Sequence, residues 1–274
     1  MGKRWPAVDV RGDHDLILAA ADDFSPTAVE ERDGALRIFF ATSELRDRAA
    51  ATLRGTAVDI DDEDWARKQD LSPVVVQKVT VFPSPESRAP TPESRAPSPE
   101  SRAPSTDTIA IVIPPSMGFG TGHHATTRLC LAALQKIDVT GKVVLDVGTG
   151  SGLLAIAAVK LGASRAIGTD DDTDAIQAAR ENLELNSVTN VELVVADLMK
   201  DPLPTADVVL ANLMGALIVR AASRLMAAVG PGGTLILSGV LDSESADIEK
   251  AFANQRIAAV VQQDEWLAFT IKSA

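Results

Sequence analysis

Two kinds of hydrophobic pattern divide the chain. From residue 108 onward, short continuous apolar runs alternate with longer stretches whose apolar residues recur at helical spacing. The runs predict strands at 109–113, 143–147, 165–169, 191–195, 207–211 and 234–238. Helices are predicted between them, at about 125–136, 151–161, 173–186, 214–228 and 243–254. The final stretch, RIAAVVQQDEWLAFTIK, reads as two strands joined by a short polar turn. Runs such as VVLDV and DVVLA are apolar without alternation, which predicts a sheet covered on both faces. Strict strand–helix alternation predicts an α/β fold with a parallel, doubly wound sheet.

The first eighty residues follow a different rhythm. Strands are predicted at 5–10, 27–32, 35–40 and 56–60, and helices at 13–21 and 43–53, with a hairpin turning at Asp33-Gly34. This β-α-β-β-α-β order matches a ferredoxin-like α+β unit. From Pro85 to Pro104 the chain reads PESRAP, TPESRAP and SPESRAP, one unit repeated three times with a period of seven. The repeat is charge-balanced and holds no aliphatic side chain larger than Ala, so it cannot offset chain entropy by burial and reads as a disordered or extended linker. Proline and the lack of apolar a/d positions exclude a coiled coil. Its Ser/Thr-Pro steps also allow docking or phosphorylation, but a spacer is the favoured reading. The expected domains are 1–60, ferredoxin-like; 61–83, a connecting segment; 84–107, the repeat linker; and 108–274, the larger α/β domain.

Composition narrows the function. The chain of 274 residues carries 26 basic and 38 acidic side chains, a net charge of −12, which argues against an electrostatic grip on nucleic acid. It favours a small ligand or a basic partner, and the acidic run Asp59, Asp61, Asp62, Glu63 and Asp64 offers either steering or a solvated helix start. The longest apolar runs fall short of a membrane span, and no apolar signal core follows MGKRWPAVDV, so a cytoplasmic location is expected. The single Cys130 leaves no internal disulfide and no Cys-rich zinc site.

The most informative segment is VVLDVGTGSG, residues 143–152. A strand ends in a carboxylate, Asp146, and enters a turn with Gly148, Gly150 and Gly152 that opens a helix. Gly150-Ser-Gly152-Leu-Leu-Ala155 satisfies a dinucleotide fingerprint, which keeps a nicotinamide-dependent oxidoreductase as an alternative. The frame DxGxGxG reads differently. A carboxylate ahead of the glycines repels a pyrophosphate and suits a cationic amino group, as in the methionine part of S-adenosylmethionine. The later strand ends favour the methyl donor. Asp170 closes the second strand, where a carboxylate can accept both hydroxyls of a ribose. Asp172 or Thr173 reads as a helix cap. Asp197 closes the third strand, within expected reach of an adenine amino group, with a simple turn residue as its other reading. Asn212 closes the fourth and offers a carbonyl acceptor to a substrate amine, or else caps the next helix. The loop from Met117 to Thr127 holds three glycines and can close over a ligand. Its adjacent His123 and His124 rarely converge on one ion, so no metal is expected. The absence of GxSxG speaks against a serine hydrolase.

Together these segments resemble ribosomal protein methyltransferases of the PrmA type, which act on the large-subunit stalk-base protein L-eleven. The resemblance rests on FGTGHHATTRLCL from Phe119 to Leu131, VLDVGTGSG, Asp170, ANL at 211–213 and, more loosely, DEDWA at 62–66. The closing hairpin also follows the class I methyltransferase pattern. The resemblance implies a Rossmann-like class I sheet and an S-adenosylmethionine cofactor. It implies donor contacts from Thr127, Gly148, Asp170 and Asn212, with Phe119, Gly120, Thr121 and Gly122 lining the donor pocket from above. It also implies that residues 1–60 are a shortened counterpart of the family's substrate-recruiting domain. The PESRAP insertion stands where that family has a brief connection. The expected reaction is N-methylation of a lysine side chain or N-terminus, with Asn212 orienting the amine. Another protein or a small-molecule amine is the alternative substrate.

Overall fold

The computed structural model describes residues 4–12, 14–21, 24, 26–32, 34–61, 72–88, 108–114 and 122–273. These fall into two units, one holding 4–61 and the other the remainder.

In the first unit, β1 (Arg4–Val10), α1 (His14–Ala21), β2 (Ala28–Arg32), β3 (Ala35–Phe39), α2 (Ser43–Leu53) and β4 (Thr56–Asp61) follow in chain order. The strands pair antiparallel in the order β2-β3-β1-β4, the ferredoxin-like arrangement. Alternate residues Val8, Val10, Leu36 and Ile38 are buried with Ala21, Phe24 and Ala49, as a period of two requires. The intervening Asp9 and Arg37 stand opposite each other, and the guanidinium forks onto the carboxylate at 2.6 Å. Thr42 starts α2 by accepting the Leu45 N–H at 3.2 Å, and Arg54 ends it with φ +52°.

The second unit is built on a seven-stranded sheet. Its strands are β8 (Val143–Val147), β9 (Arg165–Asp170), β10 (Val191–Val195), β11 (Ala206–Asn212), β12 (Val229–Leu241), β13 (Arg256–Gln263) and β14 (Trp266–Lys272). The order is β10-β9-β8-β11-β12-β14-β13, parallel except for β14, which pairs antiparallel with both neighbours. Successive residues serve opposite faces. Val144, Val208, Leu210 and Ile236 pack on one side with α3 (Ala125–Leu134) and α4 (Leu153–Lys160). Leu145, Val147, Val209, Ala211, Leu235 and Leu237 pack on the other with α6 (Gly215–Ala228) and α7 (Ser245–Ala251). The helix between β9 and β10 is α5 (Thr173–Leu185). Chain progression reverses between β8 and β11, which opens the ligand-binding crevice of a doubly wound sheet at their carboxy ends. Among the described residues, no helix is long and apolar enough to cross a membrane.

Two expectations change here. The run at 109–113 is not part of the main sheet. It forms β7 (Ile109–Val112), parallel to β6 (Val79–Phe82), which pairs with β5 (Val74–Val76) in a separate three-stranded sheet. Residues 74–82, expected to be connection, therefore carry two strands. Their hairpin turns at Gln77, φ +52°, without the Gly or Asn that would have announced it. Asn186 covers the open edge of β7 at Val112. The side-chain amide accepts the Val112 N–H at 2.8 Å and donates to the Val112 carbonyl at 2.7 Å, occupying that edge as a further strand would. The second change is at the start of the repeat, where Glu86–Arg88 forms a 3-10 turn, with the Ser87 hydroxyl donating to the Ser84 carbonyl at 2.6 Å. Residues 89–107, with the rest of the repeat, and 62–71 lie outside the described residues, as do Phe119, Gly120 and Thr121.

Candidate active site

The glycine turn is folded around a buried carboxylate. Gly148, Gly150 and Gly152 have φ of +68°, +52° and +78°, a region that disfavours side chains. Asp146, 1% exposed, points toward α4, where one oxygen accepts the Thr149 hydroxyl at 2.6 Å and the Ala155 N–H at 3.2 Å. Asp146 is the carboxylate expected to meet a ligand's amino group. In the fold its Oδ2 is committed to the turn and the first turn of the helix, so Asp146 supports the loop from beneath. Further ties come from residues that sequence spacing does not reveal: Thr149 N–H donates to the Thr169 carbonyl at 2.9 Å, and Asn182 Nδ2 to the Ser151 carbonyl at 2.9 Å.

Burial pushes the Asp146 carboxyl up to about 6, against the Thr149 and Ala155 hydrogen bonds, with the Asp170 charge adding to the rise. An unfolded Asp titrates near 3.9. Between about pH 4 and about pH 6 the folded chain therefore holds a proton that the unfolded chain has released. This contribution to stability is fully present below the unfolded value and is lost as pH rises through about 6. Asp146→Asn is expected to flatten the fall in unfolding free energy across that window, measured by denaturant unfolding at several pH values. Parallel wild-type and variant curves would contradict the assignment.

Asp170 ends β9, next to β8 in the sheet. Its Oδ2 accepts the Gly150 N–H at 2.9 Å and its Oδ1 accepts the Asp172 N–H at 3.1 Å. Each oxygen keeps acceptor capacity for a ligand hydroxyl. Burial holds its pKa above the ordinary value, opposed by the two backbone N–H groups. Asp172 is the N-cap of α5, accepting the Asp174 N–H at 2.8 Å. Asp197 follows β10 but is engaged locally: Oδ1 accepts the Met199 N–H at 2.7 Å and Oδ2 meets Lys200 Nζ at 2.6 Å. The Lys200 ammonium, then the Met199 N–H, hold its pKa below the usual value.

Asn212 ends β11, between β8 and β12. Its Nδ2 donates to Thr127 Oγ1 at 3.3 Å, and its Oδ1 is buried without a hydrogen-bond partner. Buried acceptors of that kind are rare, because leaving one unmade costs about 1–3 kcal/mol. Thr127, 1% exposed, is carried by the first turn of α3. His124 caps that helix: Nδ1 accepts the Thr126 N–H at 3.4 Å and lies 2.8 Å from Thr126 Oγ1, and the ring meets Trp266 edge-on at 4.9 Å. Burial, then the Arg128 charge, lowers the His124 pKa. Its Nδ1 holds the helix start and is not available as a base. Gly122 is buried just before α3, with room for no more than van der Waals contact against Val81 and Leu153. Among the described residues no cluster of three or more His, Cys, Asp or Glu could hold a metal.

The sheet order thus sets Asp197, Asp170, the glycine turn over Asp146, and Asn212 along one carboxy-terminal edge. Against known proteins, a family model described as ribosomal protein L11 methyltransferase (PrmA) matches residues 27–274. A protein of that name from Geobacter metallireducens is 41% identical over 243 residues, 87% of this chain and 76% of the relative. One from Geobacter sulfurreducens is 51% identical over 158 residues, 57% of this chain and only 52% of the relative. Among solved structures, a ribosomal protein L11 methylase from Lactobacillus delbrueckii subsp. bulgaricus superposes with a TM-score of 0.59 at 28% identity, covering 74% of this chain and 95% of that one. The family-model match, which spans the glycine turn and all four strand ends, together with the 41% identical relative, shows that the chain belongs to the ribosomal protein L11 methyltransferase family.

Proposed function

We propose that this chain transfers methyl groups from S-adenosylmethionine to amino groups of ribosomal protein L11, on a lysine side chain or the N-terminus. The observation that carries the reading is Asn212 Oδ1, a buried acceptor with no partner, beside the glycine turn. The donor set fits such a cofactor: Asp170 for the ribose hydroxyls, the turn from Gly148 to Gly152 for the close backbone approach, and Thr127 with Asn212 on the far side. Asp197 stands at the adenine end of the row. When bound, S-adenosylmethionine supplies an electrophilic methyl group on a sulfonium.

The chain's own work is then mostly positional. Asn212 Oδ1 accepts a hydrogen bond from the amine and so aims its lone pair. Thr127 holds the Asn212 amide in register. A lysine amine has an ordinary pKa near 10.4, and burial lowers it toward the reactive neutral form. The dinucleotide alternative loses its case through family membership. The ferredoxin-like unit is the proposed recruiting domain for the ribosomal protein, and the repeat is proposed as a spacer. A cytoplasmic location accords with that substrate. Methyl transfer to purified ribosomal protein L11, followed by its mass, tests the reading.

A further inference from the structure

Leu213 occupies an unusual place. It follows Asn212 and leaves the sheet between Gly148 of the turn after β8 and Gly239 of β12. A Cβ at Gly148 would overlap Leu213 Cδ2, so the side chain lies directly on the glycine turn. A Cβ at Gly239 would overlap the Leu213 carbonyl oxygen and stand 2.8 Å from its carbon. Gly239 has φ +86° and sits where the β12–β14 register shifts between Ser238 and Val240. That bulge turns the strand to admit the Leu213 peptide. The Leu213 N–H donates to the Ser238 carbonyl at 3.0 Å. Two residues on, a Cβ at Gly215 would stand 2.7 Å from the Glu244 carboxyl carbon, and that carboxylate accepts the Leu241 N–H at 2.9 Å. The segment carrying Asn212 is therefore held from three sides, by the donor turn, the bulge and the Glu244 loop.

We propose that Leu213, wedged between Gly148 and Gly239, is a positioning residue that fixes the separation between the donor turn and the Asn212 acceptor. The inference rests on the methyltransferase reading above. Its physical content is that Leu213 touches the turn with its side chain and the bulge with its peptide, so one residue ties both halves of the site. In-line transfer is sensitive to such spacing, where an error of about 1 Å costs about 100-fold.

Leu213→Ala removes atoms without inserting any, so the fold tolerates it better than Gly239→Ala. The expected result is a kcat about 10- to 100-fold lower. Calorimetric affinity for S-adenosylhomocysteine and KM for ribosomal protein L11 should stay within about 2-fold, and Leu213→Met, of similar volume, should restore most of kcat. Unchanged kcat in a folded variant would overturn the proposal. So would a loss of S-adenosylhomocysteine affinity equal to the loss of kcat, which would make Leu213 a pocket wall. Wild-type chain is assayed first: if it transfers no methyl group, the functional reading itself fails and the positioning role with it.

Discussion

Asn212→Ala is expected to lower kcat by about 100-fold, a larger factor than its loss of S-adenosylhomocysteine affinity. The magnitude is that of losing one well-placed polar contact to the reacting group, about 3 kcal/mol. The variant should lose little stability, and its melting temperature is the discriminating companion measurement. The wild-type chain buries Asn212 Oδ1 without a partner, a cost of about 1–3 kcal/mol, and gains only a 3.3 Å contact from Nδ2 to Thr127. Removing the amide deletes both. A melting temperature that holds or rises while turnover collapses marks a side chain kept for its chemistry. Asn212→Asp keeps an acceptor oxygen and gives up the Nδ2 donor, so it should fall between the two. Turnover unaffected by Asn212→Ala would remove Asn212 from the reaction.

Asp170→Ala acts on the other half of the site. Its carboxylate is placed to accept two ligand hydroxyls, and charge-assisted hydrogen bonds contribute about 1.5–3 kcal/mol each. The loss should weaken S-adenosylhomocysteine binding by about 100-fold or more, read by calorimetry. The Gly150 and Asp172 N–H groups also lose their acceptor, which loosens the turn itself. A pH series adds a sign. The ionised carboxylate is the form that accepts, and burial holds the Asp170 pKa above its ordinary value. Affinity should therefore fall on acidification at a higher pH than an ordinary aspartate would give, and Asp170→Asn should flatten that fall. Equal binding by wild type and Asp170→Ala would remove the carboxylate from the donor site.

What the sequence made legible was local. The order of strands and helices, the turn opened by three glycines, and the acid and amide at the strand ends all lie within short windows. Asp172 could be read as a cap because its partner is two residues away. The pairing of Asp197 with Lys200, three residues apart, was within the same reach and yet does not stand out among the acids around it. Long-range contacts were not legible. Nothing near Ile109 says that it pairs with Val79 rather than joining the main sheet. Asn182 and Asn186 hold Ser151 and Val112 across 31 and 74 residues. Asp146 could be found from the glycine pattern, but the partners of its Oδ2, a hydroxyl three residues on and a helix N–H nine residues on, could not. The contact of Leu213 with Gly148 exists only because β8 and β11 are neighbours across the reversal of the sheet.

The most direct test of the account is the intact mass of purified ribosomal protein L11 after incubation with the full chain and S-adenosylmethionine. Mass gains in whole methyl increments are expected with wild type and none with Asp170→Ala. A wild-type chain that binds S-adenosylhomocysteine but leaves the ribosomal protein's mass unchanged would contradict the proposed substrate.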